Sequence, residues 1–226
     1  MSGERCSHWE RVYETKKPAE VSWFQSDVDA TISRIQRFVG SDLRGLRVLD
    51  AGSGASTIVD VLLEQGAMVT AVDISAQALE HTRARQVAAH RNRLTCVVAD
   101  LCDISSDSSL RVVPDRSIDF WHDRAAFHFL IDESDRHAYA HNLRRILCPG
   151  GSALFSSFAL DGPERCSGLP VARQNGVAIA CALTSTERTF ELVGEECDEH
   201  ITPWGSVQRF AHAMLRANDL AHPRAG

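Results

Sequence analysis

Three times between Arg47 and Asp100 a short apolar run closes on an aspartate: RVLDA at 47–51, MVTAVD at 68–73 and LTCVVAD at 94–100. Helical stretches separate the runs, Thr57–Gln65 stopped by Gly66 and then Ala76–His90. Runs this continuously apolar suit strands covered on both faces. Strands alternating with helices at this pace imply βαβ units and a mainly parallel sheet. The rhythm continues with a fourth strand over Ser117–Trp121, a helix over Ser134–Leu147 closed by CPGG at Cys148–Gly151, and a fifth strand over Ser152–Phe158. A helix precedes the first strand, with Val28, Ile32, Ile35 and Val39 at helical spacing within Asp27–Val39. After Phe158 the rhythm breaks. Asp161–Asn175 reads as a loop, and Phe190–Thr202 and Ser206–Leu215 flank a Pro203-Trp204-Gly205 turn as an antiparallel pair, with Trp204 packed in the turn.

The chain has 226 residues, 44% of them hydrophobic, enough for one well-buried core. A formal net charge of −6 argues against a charge-driven grip on phosphates, so no nucleic-acid partner is expected. No apolar run approaches the ~18 residues of a membrane span, and the polar start MSGERCSHWERVYETKK has no secretory h-region. Seven scattered cysteines without a CxxC read as free thiols in a reducing cytoplasm. His122, Asp123 and His128 lie close in sequence, and His137 and His141 share a helix face, but no HExxH or cysteine pair accompanies them. No metal is expected.

The loop Asp50-Ala51-Gly52-Ser53-Gly54-Ala55-Ser56 joins the first strand to the first helix after it. It is either a tight turn or a place where a ligand approaches the backbone closely. A dinucleotide fingerprint would carry a third glycine where Thr57 stands. It has little use for a carboxylate beside a pyrophosphate, whereas Asp50 suits a ligand that brings positive charge. At the second strand end, Asp73 can accept both hydroxyls of a ribose. Asp100, at the third, can accept from an adenine amino group. Each acid alone also reads as a cap for the next helix.

VLDAGSGAS, VTAVDIS, CVVADL and LCPGG, in that order, resemble the motifs of class I S-adenosylmethionine-dependent methyltransferases across roughly residues 45–158. The resemblance implies a Rossmann-like α/β fold: a seven-stranded mainly parallel sheet with helices on both faces and an antiparallel terminal hairpin. It implies S-adenosylmethionine as cofactor and S-adenosylhomocysteine as product. Asp50, Gly52 and Gly54 would surround the methionine part, Asp73 and Ile74 the ribose and adenine, and Asp100 and Leu101 the adenine. The lead HWERVYETKKPAEVSWFQ resembles that of thiopurine-type and protein-lysine methyltransferases, where it lies over cofactor and acceptor. That adds Trp23 and Phe24 to the cofactor set. Trp9, Tyr13, Trp23 and Phe24 equally read as aromatics pinning the N-terminus to the core.

The fourth strand runs into His122, Asp123 and Arg124, which would face the crevice at the strand ends. HDRAAF resembles an Asp-Arg/Lys-Gly segment of the same two subgroups, but has Ala125 for glycine and an added His122. His122 or Asp123 could take a proton from an acceptor, and Arg124 could hold an anionic one. Asp123 also reads as a cap, Arg124 as its ion-pair partner, and His122 as packing beside cofactor or substrate. Cys166 in DGPERCSGLPV, and Glu199, His200 and Trp204 in DEHITPWGSVQRF, stand where acceptor contacts or plain loop and turn packing are both open.

The expected organisation is an aromatic lead or lid over 1–26, a methyltransferase domain over 27–217 and a frayed tail over 218–226. The expected function is transfer of a methyl group to an S, N or O nucleophile. A small molecule is the favoured acceptor and a protein lysine the alternative. An NAD-type oxidoreductase and a non-catalytic cofactor-binding module are the readings from other classes.

Overall fold

The computed structural model describes residues 2–185 and 188–219. It contains β1 (Arg47–Ala51), β2 (Met68–Asp73), β3 (Leu94–Val98), β4 (Ile118–Arg124), β5 (Leu147–Phe158), β8 (Arg188–Ile201) and β9 (Val207–Asp219) in one sheet of order β3-β2-β1-β4-β5-β9-β8. Neighbours from β3 to β5 are parallel, and β9 is antiparallel to both β5 and β8. This is the expected seven-stranded Rossmann-like sheet with its terminal hairpin. The strand order reverses at β1 and β4, which opens a crevice at their carboxyl ends.

The apolar runs are continuous because both faces are buried. Val48, Val69, Phe120, Leu154 and Met214 pack on one face with Ile32 and Ile35 of α2 (Asp29–Val39) and Leu62 of α3 (Ile58–Glu64). Their neighbours Leu49, Trp121, Phe155 and Leu215 pack on the other face with Leu143 and Ile146 of α5 (Glu133–Ile146) and Ile179 and Leu183 of α6 (Gly176–Leu183).

Several expectations are revised. The helix expected over Ala76–His90 is α4 (Ala76–Arg85), followed by a 3-10 turn over Ala88–Arg93. The Gln86 side chain turns inward to Asp60 and the Thr82 carbonyl, which draws the chain out of the helix. CPGG does not separate helix from strand. α5 passes directly into β5, and Cys148–Gly151 fall in a register shift, with Ile118 opposite Leu147 but Phe120 opposite Ser152. The loop at Asp161–Asn175 contains a small two-stranded sheet, β6 (Arg165–Cys166) and β7 (Leu169–Pro170), and α6 follows it. Trp204 is 60% exposed in its turn rather than packed. Of the expected tail, 218 and 219 belong to β9, and 220–226 lie outside the described residues. Within the aromatic lead, to which the sequence assigns no element, Ser2–Thr15 form a helix, α1, that lies over the crevice.

Candidate functional site

The glycine loop turns sharply after β1. Gly52 and Gly54 have φ of +61° and +56°, a region L side chains rarely adopt. A Cβ at Gly52 would also strike Ala126, and one at Gly54 the Tyr13 hydroxyl. The loop is tied to β2 by Asp73: the Gly54 N–H donates to Oδ2 at 2.7 Å and the Ser75 N–H to Oδ1 at 2.8 Å. Burial pushes the Asp73 carboxyl up to about 6, against the pull of those two donors.

Two adjoining cavities open at the carboxyl ends of the strands. The larger, about 770 Å³, is lined among others by Asp73, Ile74, Asp100, Leu101, Tyr139 and Gly52. The smaller, about 490 Å³, is lined by Asp50, Ser53, His122, Phe24 and Gln25. Gly52, Tyr13, Trp23 and Arg124 border both. Asp50 and His122 are paired residues of adjacent strands, and both side chains are buried. His122 Nδ1 lies 2.6 Å from Asp50 Oδ1, and a carboxylate there requires Nδ1–H as the donor. Asp50 Oδ2 and His122 Nε2 are left without a protein partner. A buried orphan carboxylate oxygen beside a cavity suits a cationic ligand group.

The roof of the larger cavity is one face of α1, where Arg5, Trp9 and Tyr13 follow one another at helical spacing. Arg5 bridges Asp100 at 2.9 Å and Asp135 at 2.7 Å. Glu10 accepts from the Ser75 hydroxyl and from the Ala76 and Gln77 N–H groups at the start of α4, where a carboxylate is favoured. Trp9 meets Trp23 and Phe129 edge-on, with ring centres 5.7 and 4.9 Å apart. Sequence reasoning noticed the aromatics but missed Arg5 and Glu10; the spacing of Arg5, Trp9 and Tyr13 was the available signal. The partly exposed Arg5 pairs contribute about 0.2–1 kcal/mol each, and each charge-assisted Glu10 bond about 1.5 kcal/mol or more. The double variant Arg5→Met, Glu10→Gln is therefore expected to raise amide exchange across residues 2–15 at least tenfold, read by mass spectrometry, while exchange in β1 and β4 stays unchanged.

The WHDR stretch does not act as one unit. Alternation along β4 sends Trp121 and Asp123 toward α5, and His122 and Arg124 toward the α2 face. Asp123 borders neither cavity. Its carboxylate accepts from the Ala126 and Phe127 N–H groups at 3.1–3.2 Å and from the Tyr139 hydroxyl at 2.6 Å. Trp121 Nε1–H in turn donates to the Tyr139 oxygen. Of the two roles open to Asp123, its contacts are those of the cap. Arg124 does not pair with it. It donates to the Trp23 carbonyl at 2.7 Å and lies 4.7 Å from the centre of the Phe210 ring.

Cys166 is buried with Phe158 and Phe210, 3.7 Å from the Ser22 hydroxyl, and burial raises its thiol pKa. A thiol so placed is poorly disposed to act as a nucleophile. His200 lies 2.7 Å from the Ser22 carbonyl and so ties the terminal hairpin to the lead; Glu199 is exposed. His137 and His141 are exposed, and no group of metal-ligating side chains occurs among the described residues. No helix among them is long and apolar enough to cross a membrane.

Residues 48–151 match a family model described as a methyltransferase domain. No curated protein sequence matches the chain. Among solved structures, a methyltransferase from Anabaena variabilis described as SAM-dependent is 16% identical, with a TM-score of 0.70 over 95% of this chain and 94% of its own. The 1,6-didemethyltoxoflavin-N1-methyltransferase of Burkholderia thailandensis, bound to 1,6-didemethyltoxoflavin and S-adenosylhomocysteine, is 18% identical with a TM-score of 0.62 over 96% of this chain and 87% of its own. The N-methyltransferase NodS of Bradyrhizobium japonicum, bound to S-adenosylhomocysteine, is 15% identical with a TM-score of 0.64 over 92% and 98%. At these identities the likeness is one of fold.

Proposed function

We propose, from the premise that residues 48–151 are a methyltransferase domain on the class I S-adenosylmethionine-dependent fold, that this chain methylates a small molecule at a nucleophilic atom. One observation carries the reading: a roofed crevice at the carboxyl ends of β1, β2 and β4, with a glycine loop and three strand-end carboxylates around it. The residues fit the cofactor. Asp50 Oδ2, buried and unpartnered, suits the methionine ammonium, with Gly52 and Gly54 giving backbone access. Asp73 is disposed toward the ribose, and Ile74, Asp100 and Leu101 form a pocket for the adenine. When bound, S-adenosylmethionine would supply its sulfonium methyl to an unprotonated nucleophile in line, with S-adenosylhomocysteine as the thioether leaving group.

The chain's own contribution is alignment and exclusion of water. α1, Trp9 and Trp23 cover the crevice. His122, held by Asp50, keeps Nε2 free beside the smaller cavity and can take a proton there. Asp123 holds the turn after β4, and so the position of Ala126 against Gly52. The roof favours a small acceptor over a lysine on a folded protein, and the similar structure that holds 1,6-didemethyltoxoflavin supports that choice.

The test is transfer of label from S-adenosylmethionine into a fractionated cell lysate, alongside calorimetric binding of S-adenosylhomocysteine. Label in the small-molecule fraction is the expected result. Label in the macromolecular fraction transfers the reading to a protein acceptor, and absence of S-adenosylhomocysteine binding defeats it.

A further inference from the structure

We infer that Arg124 receives an anionic group of the methyl acceptor, a carboxylate or a phosphate; the inference rests on the methyltransferase reading above. Arg124 borders both cavities at their junction. A guanidinium carries five N–H donors, and the protein hydrogen bond Arg124 makes is to the Trp23 carbonyl. Among the described residues no carboxylate pairs with it. The nearby acids have other partners: Asp50 Oδ1 meets His122, Asp123 accepts from Tyr139 and two backbone N–H groups, and Asp198 pairs with Arg34. The neighbouring imidazoles of His128, His200 and His212 are all disfavoured as cations, by burial and by Arg124 itself. Arg124 is partly buried and Asp198 steadies its charge from a distance; an anion entering the cavity supplies the direct, charge-assisted partner that this guanidinium lacks.

The other anion available to Arg124 is the carboxylate of the cofactor. The surroundings of the guanidinium favour the acceptor. Trp23, Phe210 and Cys166, which gather around Arg124, all lie outside the matched methyltransferase segment. The strand-end acids Asp73 and Asp100 belong to the larger cavity alone. Trp23, an aromatic that borders both cavities beside Arg124, suits a flat ring carrying the charge.

The experiment uses the full chain saturated with S-adenosylhomocysteine and the probes benzoate, phenyl phosphate and benzamide, followed by tryptophan fluorescence and calorimetry. At least one anionic probe should bind tenfold or more tighter than benzamide. Arg124→Gln should erase that preference, Arg124→Lys should keep part of it, and both should bind S-adenosylhomocysteine within about threefold of the parent. Equal binding of charged and neutral probes, or no binding of either anion, overturns the inference. So does a tenfold or greater loss of S-adenosylhomocysteine affinity in both variants, which assigns the guanidinium to the cofactor. Failure of the unaltered chain to bind S-adenosylhomocysteine defeats the methyltransferase reading instead. Arg124→Lys, which retains the charge, guards against a folding defect in Arg124→Gln, and a melting curve of each variant checks it.

Discussion

Asp73→Ala is expected to weaken S-adenosylmethionine binding by about two orders of magnitude, because hydrogen bonds to a charged group are worth about 1.5–3 kcal/mol each. The substitution removes the proposed acceptor of the ribose hydroxyls and also releases the Gly54 N–H that fixes the glycine loop. The pH dependence has a definite sign. Burial holds the Asp73 carboxyl at about 6 in the free protein. Hydroxyl donors favour the ionised form, so binding lowers that pKa and expels a proton wherever the free protein carries one. Affinity should be flat above about pH 6 and fall below it, approaching tenfold per pH unit. Calorimetry at pH 5 and 7.5 in two buffers of different ionisation enthalpy reads both the affinity and the proton release. Unchanged binding in Asp73→Ala would sink the ribose assignment, and a flat profile in the parent chain would remove Asp73 as the titrating group.

The half of the crevice built from β1, β2 and β3 was legible because its determinants are local. An apolar run ending in Asp50, Asp73 or Asp100 marks a strand end by itself, and parallel strands bring such ends to one edge. The other half depends on tertiary contacts. α1 has few apolar residues, and its identity as a roof rests on Arg5 reaching Asp100 and Asp135 and on Glu10 reaching the start of α4. Nothing within SGERCSHWERVYET announces those partners. α6 was hidden for the opposite reason: GVAIACAL is so uniformly apolar that it lacks the one-sided pattern by which a helix is recognised. The trio at the end of β4 was readable in part. Period-two alternation alone separates Asp123 from His122 and Arg124, but only the Tyr139 hydroxyl shows where Asp123 is engaged.

That separation makes Asp123 the position where the outcome departs furthest from what a strand-end acid in a crevice invites. Asp123→Ala strands the Ala126 and Phe127 N–H groups and the Tyr139 hydroxyl. Buried donors left unsatisfied cost about 1–3 kcal/mol each, so a loss of about 3–5 kcal/mol is expected. For a chain of this size that is a fall in Tm of about 6–20 °C. Tyr139→Phe removes the bond to Asp123 and also strands the buried Trp121 Nε1–H, so it should cost about 2–4 kcal/mol. The parent chain carries a second signature. Burial raises the Asp123 carboxyl from 3.8 to about 6 in the folded state, so between those values the native form binds more protons than the unfolded one. Its contribution to stability is therefore greatest below pH 3.8, declines as pH rises to about 6 and is constant above. Ionised Asp123 is thus retained against a desolvation cost by the Ala126 and Phe127 N–H groups and the Tyr139 hydroxyl that donate to it. Thermal melts of Asp123→Ala across pH 4–8 should lose both the stability and that component of the slope. An unchanged Tm combined with lost turnover and intact S-adenosylhomocysteine binding would return Asp123 to the acceptor side. The expected pattern keeps it beneath the site, where it holds Ala126 against the glycine loop and leaves the chemistry to the face that carries His122 and Arg124.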